Sequence, residues 1–355
     1  MTIAILSTTH GRGRGAEAVL EELLRVWGAA RPPLLVAAPP DSGVFRAARE
    51  AGCAVAPLAT GRDAALRNRL ALGAVRRAAA GCARVHAWHG RGFELARTLA
   101  RRLGVPASGT QHDHPAAAYH SRLRRWLMRR SANRFEALAC VSRAVADACA
   151  AAGYRAPLRV IYNGLAAAAP PARPAAELPD GVRIGFAGLY AVGKGFAVVA
   201  DWAHATRQRP GWHWRLYGEP APALADAARR LAAECPGTVA LCGRRPAEEL
   251  LAEVDLLAAP ATQFDSLPTL LLEAARAGVP CVAAANGGAA EIVRDGQTGF
   301  LFDPARPQDG LRRLETLAQN PGLRRQMGAA AAQDFDRRFR AERMAEDYAR
   351  FWSQA

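Results

Sequence analysis

The stretch VRIGFAGLYAVGKGFAVV, residues 182–199, carries in one run the signals that decide the fold. It opens with a strand-length apolar segment, Val182–Ala187, passes through a glycine-rich turn and continues into an apolar segment, Phe196–Val199, that opens a helix. Strand, glycine loop and helix in this order are typical of α/β proteins, and the amino end of such a helix is a place where phosphate binds.

Lys194, inside that loop, is the only lysine among 47 basic residues. An ammonium is a compact charge on a flexible stem and can reach a phosphate through a narrow gap, whereas a planar guanidinium needs room for its fork. Glycines on both sides let the backbone approach a ligand closely. We therefore expect Lys194 to bind a phosphate; the alternative is an ordinary solvated loop residue.

Short apolar runs alternate with helical patterns along the rest of the chain, for example a helix over Ala16–Trp27. This alternation predicts an α/β protein with two doubly wound, Rossmann-like parallel sheets. The candidate strands are Thr2–Leu6, Pro33–Ala38, Cys53–Leu58, Arg84–Trp88, Val105–Thr110, Glu136–Val141, Leu158–Tyr162, Val182–Ala187, Trp212–Tyr217, Val239–Cys242, Val254–Ala259 and Val279–Ala284.

A proline-rich break, Ala166–Asp180, divides the two series of strands. We expect an N-terminal domain over residues 1–165, a linker over 166–180, a C-terminal domain over 181–338 and a final helix over 339–355 that packs back on the N-terminal domain. Two such domains would face a cleft at the carboxyl ends of their strands, where ligands bind in this fold class.

Charge is unevenly spread: residues 1–165 hold 25 arginines against 10 acidic residues, whereas residues 166–355 hold 22 basic and 22 acidic residues. The excess predicts an anionic partner for the first half, or reflects composition alone. The seven cysteines form no Cys-x-x-Cys pair and are expected to be reduced core residues. We expect no signal peptide, no membrane span and, because no acids cluster with the histidines, no metal site.

The segment from Phe264 to Pro304 is the richest in motifs. It contains Asp265-Ser-Leu-Pro-Thr-Leu-Leu-Leu-Glu273, then Ala-Gly-Val-Pro, Gly-Gly-x-x-Glu ending at Glu291, and Asp-Gly-x-Thr-Gly-Phe-Leu from Asp295. In this order the chain resembles the family-4 glycosyltransferases, whose hallmark is two acids separated by seven residues. Matching segments upstream include Gly-Ala-Glu from Gly15, Gly-Thr-x-His ending at His112 and Phe-Ala-Gly ending at Gly188.

The resemblance implies a retaining, metal-independent transferase with the two-domain GT-B architecture. Lys194 would neutralise the leaving diphosphate, Glu273 would bind the ribose, and Asp265 and His112 would face the donor sugar; His112, Lys194 and Asp265 are the candidate catalytic residues. Charge-assisted hydrogen bonds suit carboxylates to sugar hydroxyls. The remaining candidate donor-binding residues are Gly15, Gly188, Ser266, Leu267, Pro268, Thr269 and Leu270, with Arg14, Arg244, Arg245 and Glu291 as further candidates.

Two departures from the family pattern concern the donor. Leu189 stands where the family usually has an arginine, and Arg244 or Arg245 could replace that cation. The first acid, Asp265, is one methylene shorter than the usual glutamate. The sequence therefore leaves the sugar open, with a UDP-sugar as the first expectation and no cofactor besides this substrate.

We expect a hexosyltransferase acting on a glycan or lipid-linked acceptor in bacterial envelope polysaccharide or lipopolysaccharide synthesis, in the cytoplasm. One alternative is a nucleotide-sugar epimerase or hydrolase of the same architecture, which would turn over donor without an acceptor. Another is a basic nucleic-acid-binding protein, which the scarcity of aromatic residues among the arginines disfavours.

The basic half contains one segment with a membrane-surface pattern, residues 120–130. Arg122, Arg125 and Arg129 fall on one side of the expected helix. Leu123, Trp126 and Leu127 fall on another side. The alternative is an ordinary domain helix that buries these three apolar side chains. With the charge excess, we expect peripheral attachment to the inner face of the plasma membrane.

Overall fold

The computed structural model describes residues 1–8, 15–29, 31–58, 72–167 and 181–354. The chain divides into two compact units: residues 1–166 with 339–355 form unit 1, and residues 167–338 form unit 2. Arg14 and most of the proline-rich segment, residues 168–180, lie outside the described residues.

Unit 1 is built on a sheet of seven parallel strands in the order β3-β2-β1-β4-β5-β6-β7. Its strands are β1 (Thr2–Leu6), β2 (Leu34–Ala38), β3 (Ala54–Pro57), β4 (Cys82–Ala87), β5 (Ala107–Gln111), β6 (Ala137–Cys140) and β7 (Leu158–Val160). Its helices are α1 (Ala16–Arg25), α2 (Gly43–Glu50), α3 (Phe93–Leu103), α4 (Arg122–Ala132) and α5 (Arg143–Ala151), and residues 72–78 are also helical.

Unit 2 is built on a sheet of six parallel strands in the order β10-β9-β8-β11-β12-β13. These are β8 (Val182–Ala187), β9 (Trp212–Tyr217), β10 (Val239–Gly243), β11 (Leu256–Ala259), β12 (Cys281–Ala284) and β13 (Gly299–Phe302). The helices are α6 (Phe196–Ala205), α7 (Ala225–Glu234), α8 (Ala247–Ala252), α9 (Thr269–Arg276), α10 (Ala289–Ile292), α11 (Pro307–Gln319) and α12 (Pro321–Arg338). The predicted α/β class with two doubly wound sheets is confirmed.

The last helix, α13 (Ala341–Gln354), packs into the core of unit 1. Tyr348 and Trp352 are buried there, and the rings of Trp352 and Trp27 lie 5.4 Å apart. The Tyr348 hydroxyl also lies 2.9 Å from that of Thr110 on β5, so the contact of the helix with the sheet includes a buried hydrogen bond.

In both sheets the strand order reverses beside the first strand, between β1 and β4 in unit 1 and between β8 and β11 in unit 2. Loops that leave the carboxyl ends of such neighbouring strands diverge and leave a crevice, which is where this class of fold binds ligands. Gly15 follows β1, Lys194 follows β8, and Asp265 and Glu273 follow β11, whereas His112 follows β5.

Candidate active site

The glycine loop after β8 is held against the loop after β11 by backbone contacts. Thr262 and Gln263 donate their amides to the Gly193 carbonyl, at 3.1 and 3.2 Å. Gly195 has φ +79°, and a Cβ there would lie 1.9 Å from the Pro260 carbonyl oxygen. Only glycine fits this position, which ends the 3₁₀ turn Val192–Lys194 and begins α6.

Lys194 and Asp265 form an ion pair between these two loops. The Lys194 Nζ lies 2.6 Å from Asp265 Oδ2. The lysine side chain is 52% exposed and the aspartate 23%. An exposed pair of this kind contributes at most about 1 kcal/mol to stability, so fold stability alone does not account for placing the chain's one lysine here. Both charges remain accessible to a ligand.

A third loop, after β12, fixes the backbone of Asp265. Gly288 donates its amide to the Asp265 carbonyl at 2.8 Å. Gly287 has φ +58°, and a Cβ there would lie 2.0 Å from the same oxygen. The glycines of the Gly-Gly-x-x-Glu motif therefore let one loop pack directly on another, and together the three loops form the Lys194 site.

Helix α9 begins at Thr269, four residues after Asp265, and its first turn offers backbone amides. The amide groups of the first turn of a helix have no acceptor within the helix and favour an anion. Among the candidate donor-binding residues from Ser266 to Leu270, Pro268 has no N–H to donate. The donors in this segment are therefore Ser266, Leu267, Thr269 and Leu270. Leu267 is buried and anchors the turn.

Glu273 lies in the second turn of α9, and its side chain is half-buried. Gly188, at the end of β8, adopts φ +140° and packs closely on the loop after β9, where a Cβ on Gly218 would lie 1.9 Å from the Gly188 oxygen. Leu189, which stands where the family usually has an arginine, is 55% exposed. The site thus presents an apolar side chain at that position.

The further candidates Arg244 and Arg245 follow β10, which is separated from β8 by β9. Both are exposed, and Arg245 lies 3.6 Å from Glu249. No described contact joins either arginine to Lys194. At about 4.8 Å between neighbouring strands, the ends of β10 and β8 lie about 10 Å apart.

Glu291, on α10, is half-buried, and its carbonyl accepts a hydrogen bond of 2.7 Å from Arg338 at the end of α12. Arg338 and Arg294 also pair with the buried Asp334, at 2.8 and 2.7 Å. This ion-pair cluster ties the short helix of the Gly-Gly-x-x-Glu motif to the body of unit 2.

In unit 1, His112 directly follows β5, and its ring lies 5.1 Å from the Trp88 ring. Burial, with the neighbouring His89, lowers the pKa of His112 to about 3 although Asp113 and a hydrogen bond to the Trp88 backbone act in the opposite direction. Its Nε2 is buried and has no hydrogen-bond partner among the described residues. Neutral His112 therefore has one ring nitrogen that makes no hydrogen bond with the described residues.

Gly15 begins α1 with φ +56°, a conformation that glycine adopts readily. The first turn of this helix is held to the sheet by Trp88, whose Nε1 donates to the Ala16 carbonyl at 2.6 Å. The neighbouring candidate Arg14 lies outside the described residues.

Sequence reasoning missed the cluster around Asp113. This carboxylate accepts hydrogen bonds from the Tyr119 hydroxyl, from His120 Nε2 at 3.0 Å and from Gln111 Nε2 at 2.5 Å. Burial alone would raise the pKa of Asp113, but the bonds from His120 and Tyr119 outweigh it and hold the pKa below its usual value. The cluster fixes the loop that carries His112. No residue spacing in the sequence predicts this cluster.

Two negative findings apply to the described residues only. No group of three or more His, Cys, Asp or Glu side chains there is arranged to hold a metal ion. Nor does any helix of these ranges have the length and apolar character needed to cross a membrane.

Both units match family models. Residues 13–168 match the model for Glycosyltransferase Family 4, and residues 181–320 match that for Glycosyl transferases group 1. The chain therefore belongs to the family-4 type of glycosyltransferases, as its motifs predicted.

One relative resembles this chain in sequence over a short stretch, and two solved structures resemble it in fold. N-acetyl-alpha-D-glucosaminyl L-malate synthase of Bacillus anthracis is 32% identical over 100 residues, 28% of this chain and only 26% of that relative. The Anabaena protein HepE, solved with UDP, aligns over the whole of both chains with a TM-score of 0.85 and 21% identity. The lipopolysaccharide outer core galactosyltransferase WaaB also aligns over both whole chains, with a TM-score of 0.75 and 15% identity.

Proposed function

We propose that this protein transfers a hexose from a nucleotide sugar to a hydroxyl of a glycan or lipid-linked acceptor, with retention at the anomeric carbon and without a metal. The observation that carries the proposal is the accessible Lys194–Asp265 pair, held by tight glycine contacts at the switch point of a family-4 sheet. Such packing holds the Lys194 charge in a fixed position, where it can stabilise the negative charge that develops on a leaving diphosphate.

The roles follow from the chemistry of each group. The Lys194 ammonium stabilises the diphosphate as the bond to the sugar breaks, and the first amides of α9 bind its oxygens. Glu273 accepts hydrogen bonds from the ribose hydroxyls and Asp265 from the sugar hydroxyls. Neutral His112 accepts a hydrogen bond from the donor sugar at its unpartnered Nε2.

A UDP-sugar is our first choice of donor. HepE, which is 21% identical, has been solved with UDP and with UDP-glucose, and this supports the choice. We propose envelope polysaccharide or lipopolysaccharide synthesis as the setting, because WaaB is a lipopolysaccharide outer core galactosyltransferase, and the inner face of the plasma membrane as the location.

Calorimetry with UDP, GDP, ADP and their sugars tests the donor, because a matching nucleotide binds and raises the melting temperature by mass action. Turnover is then measured with and without acceptor. Release of free sugar or of an epimer at the full rate without any acceptor would refute the transferase proposal and indicate a hydrolase or an epimerase. The anomeric configuration of the product, read by NMR, tests retention.

A further inference from the structure

Helix α4 of unit 1 exposes the large apolar side chains that an ordinary domain helix would bury. Leu123 is 66% exposed and Trp126 44%, and Tyr119, just before the helix, is 67% exposed. The helix is anchored to the unit by its other face, through the buried residues Met128, Ser131 and Ala132. Leu123 and Trp126 therefore lie outside the core, contrary to the alternative of an ordinary domain helix, whereas Leu127 is half-buried.

Arginines surround these apolar side chains, and residues 122–132 contain no acid. Arg122 and Arg130 are exposed, and the Arg130 guanidinium lies 5.2 Å from the centre of the Trp126 ring. Arg124 has a different role, because Glu94 and the Gly90 carbonyl hold it at 2.8 and 3.2 Å. We call Tyr119, Arg122, Leu123, Trp126 and Arg130 the α4 surface.

The α4 surface is joined rigidly to the loop that carries His112. The Tyr119 hydroxyl and the neighbouring His120 both donate to Asp113, the residue after His112. A ligand bound at the α4 surface would therefore lie beside the loop that we assign to the reacting sugar.

We propose that the α4 surface binds an anionic lipid bilayer and brings the head group of a lipid-linked acceptor to the His112 loop; the second part rests on the proposed function. Exposed Leu and Trp enter the interface between head groups and acyl chains, and arginines pair with lipid phosphates. A purely electrostatic partner such as nucleic acid would not account for exposed Leu123, and a neutral partner would not account for the arginines.

Co-sedimentation of the full chain with vesicles tests the surface, using phosphatidylcholine alone or with a third phosphatidylglycerol, at 50 and 500 mM NaCl. We expect binding to the anionic vesicles at low salt. Leu123→Ser with Trp126→Ser should weaken it at least tenfold. Arg122→Glu with Arg130→Glu should weaken it at least 25-fold, since each arginine near an anionic bilayer contributes about fivefold in affinity.

Arg101→Glu with Arg102→Glu is the matched control. Both arginines are exposed at the end of α3, and their substitution changes the net charge by the same amount as Arg122→Glu with Arg130→Glu. Binding should survive largely in this control. An equal loss in the control, equal binding to neutral vesicles, or no binding at all would overturn the proposal. A dimer by light scattering that dissociates in the Leu123 and Trp126 variant would instead make the surface a contact between two copies.

The outcome is separable from the proposed function. Binding of UDP and transfer to a water-soluble acceptor should be unchanged in the α4 variants, whose substituted side chains are exposed, whereas transfer to an acceptor in vesicles should fall. A chain that binds anionic vesicles but turns over no nucleotide sugar would refute the transferase proposal and leave the membrane surface standing.

Discussion

Replacing Lys194 by alanine separates a catalytic role from a structural one. The ion pair with Asp265 is half-exposed on the lysine side, so its loss should change the free energy of unfolding by less than about 1 kcal/mol. The effect on turnover should be much larger. A unit charge about 4 Å from a diphosphate, at an effective dielectric constant of about 20, contributes up to about 4 kcal/mol.

Part of that energy is already present when the donor binds, and only the part that grows as the leaving group gains charge accelerates the reaction. We therefore expect turnover to fall at least ~100-fold, which corresponds to about 2.7 kcal/mol. Lys194→Arg should restore little, because a planar guanidinium does not place its charge at the same point as the compact ammonium.

The assay is steady-state release of nucleoside diphosphate, with urea denaturation of each variant in parallel. Arg229→Ala is the matched control, because Arg229 forms an exposed ion pair with Asp226 on α7, outside the Lys194 site. This control should leave both quantities unchanged. Turnover within threefold of wild type in the Lys194→Ala protein would refute the phosphate role, and a large loss of stability would point to a structural one.

Three further outcomes are expected. Glu273→Gln should weaken binding of both UDP and the UDP-sugar, whereas Asp265→Asn should weaken only the sugar and leave UDP binding equal or tighter, because it frees the lysine; calorimetry that shows equal losses for both variants would break the assignment. Gly287→Ala should lower turnover at least tenfold, since its Cβ would collide with the Asp265 carbonyl, and unchanged kinetics would mean that the loop contact is dispensable. Acidification from pH 7.5 to 5.5 should destabilise unit 1 by up to about 3 kcal/mol. The pKa values of His89 and His112 are lowered to about 4 and 3 in the folded chain, so near pH 6.5 only the unfolded chain takes up protons on these two side chains. Undiminished hydrogen-exchange protection of β4 and β5 at pH 5.5 would contradict this.

Buried parallel strands are the elements that the sequence predicts best. The bounds of β1, β8 and β9 are those expected from apolar runs, because strands covered on both faces have near-continuous apolar sequences between polar turns. The strand β13, Gly299–Phe302, was not predicted. It is only four residues long and lies at the edge of the sheet, and its residues were read only as part of the Asp-Gly-x-Thr-Gly-Phe-Leu motif.

In the candidate site, too, the sequence predicts local features better than contacts between distant residues. Motif spacing placed Asp265 and Glu273 on a loop and the following helix, since those residues are close in sequence. The contact between Lys194 and Asp265 joins residues 71 positions apart, and no local pattern encodes it. For Leu123 and Trp126 the sequence left two alternatives, exposure or burial, because helical periodicity gives the faces of a helix but not which face meets the sheet.

Glu291 shows what motif recognition leaves out even where it succeeds. The motif suggested a role for its carboxylate, but the structure also gives its carbonyl an anchoring role, through Arg338 and the buried Asp334. The same segment, through Gly288, holds the Asp265 backbone. A charge that must stabilise a transition state gains from having no freedom to reorganise. The backbone bonds that remove that freedom belong to no side-chain motif, so the precision of this site resides largely in contacts that sequence patterns do not record.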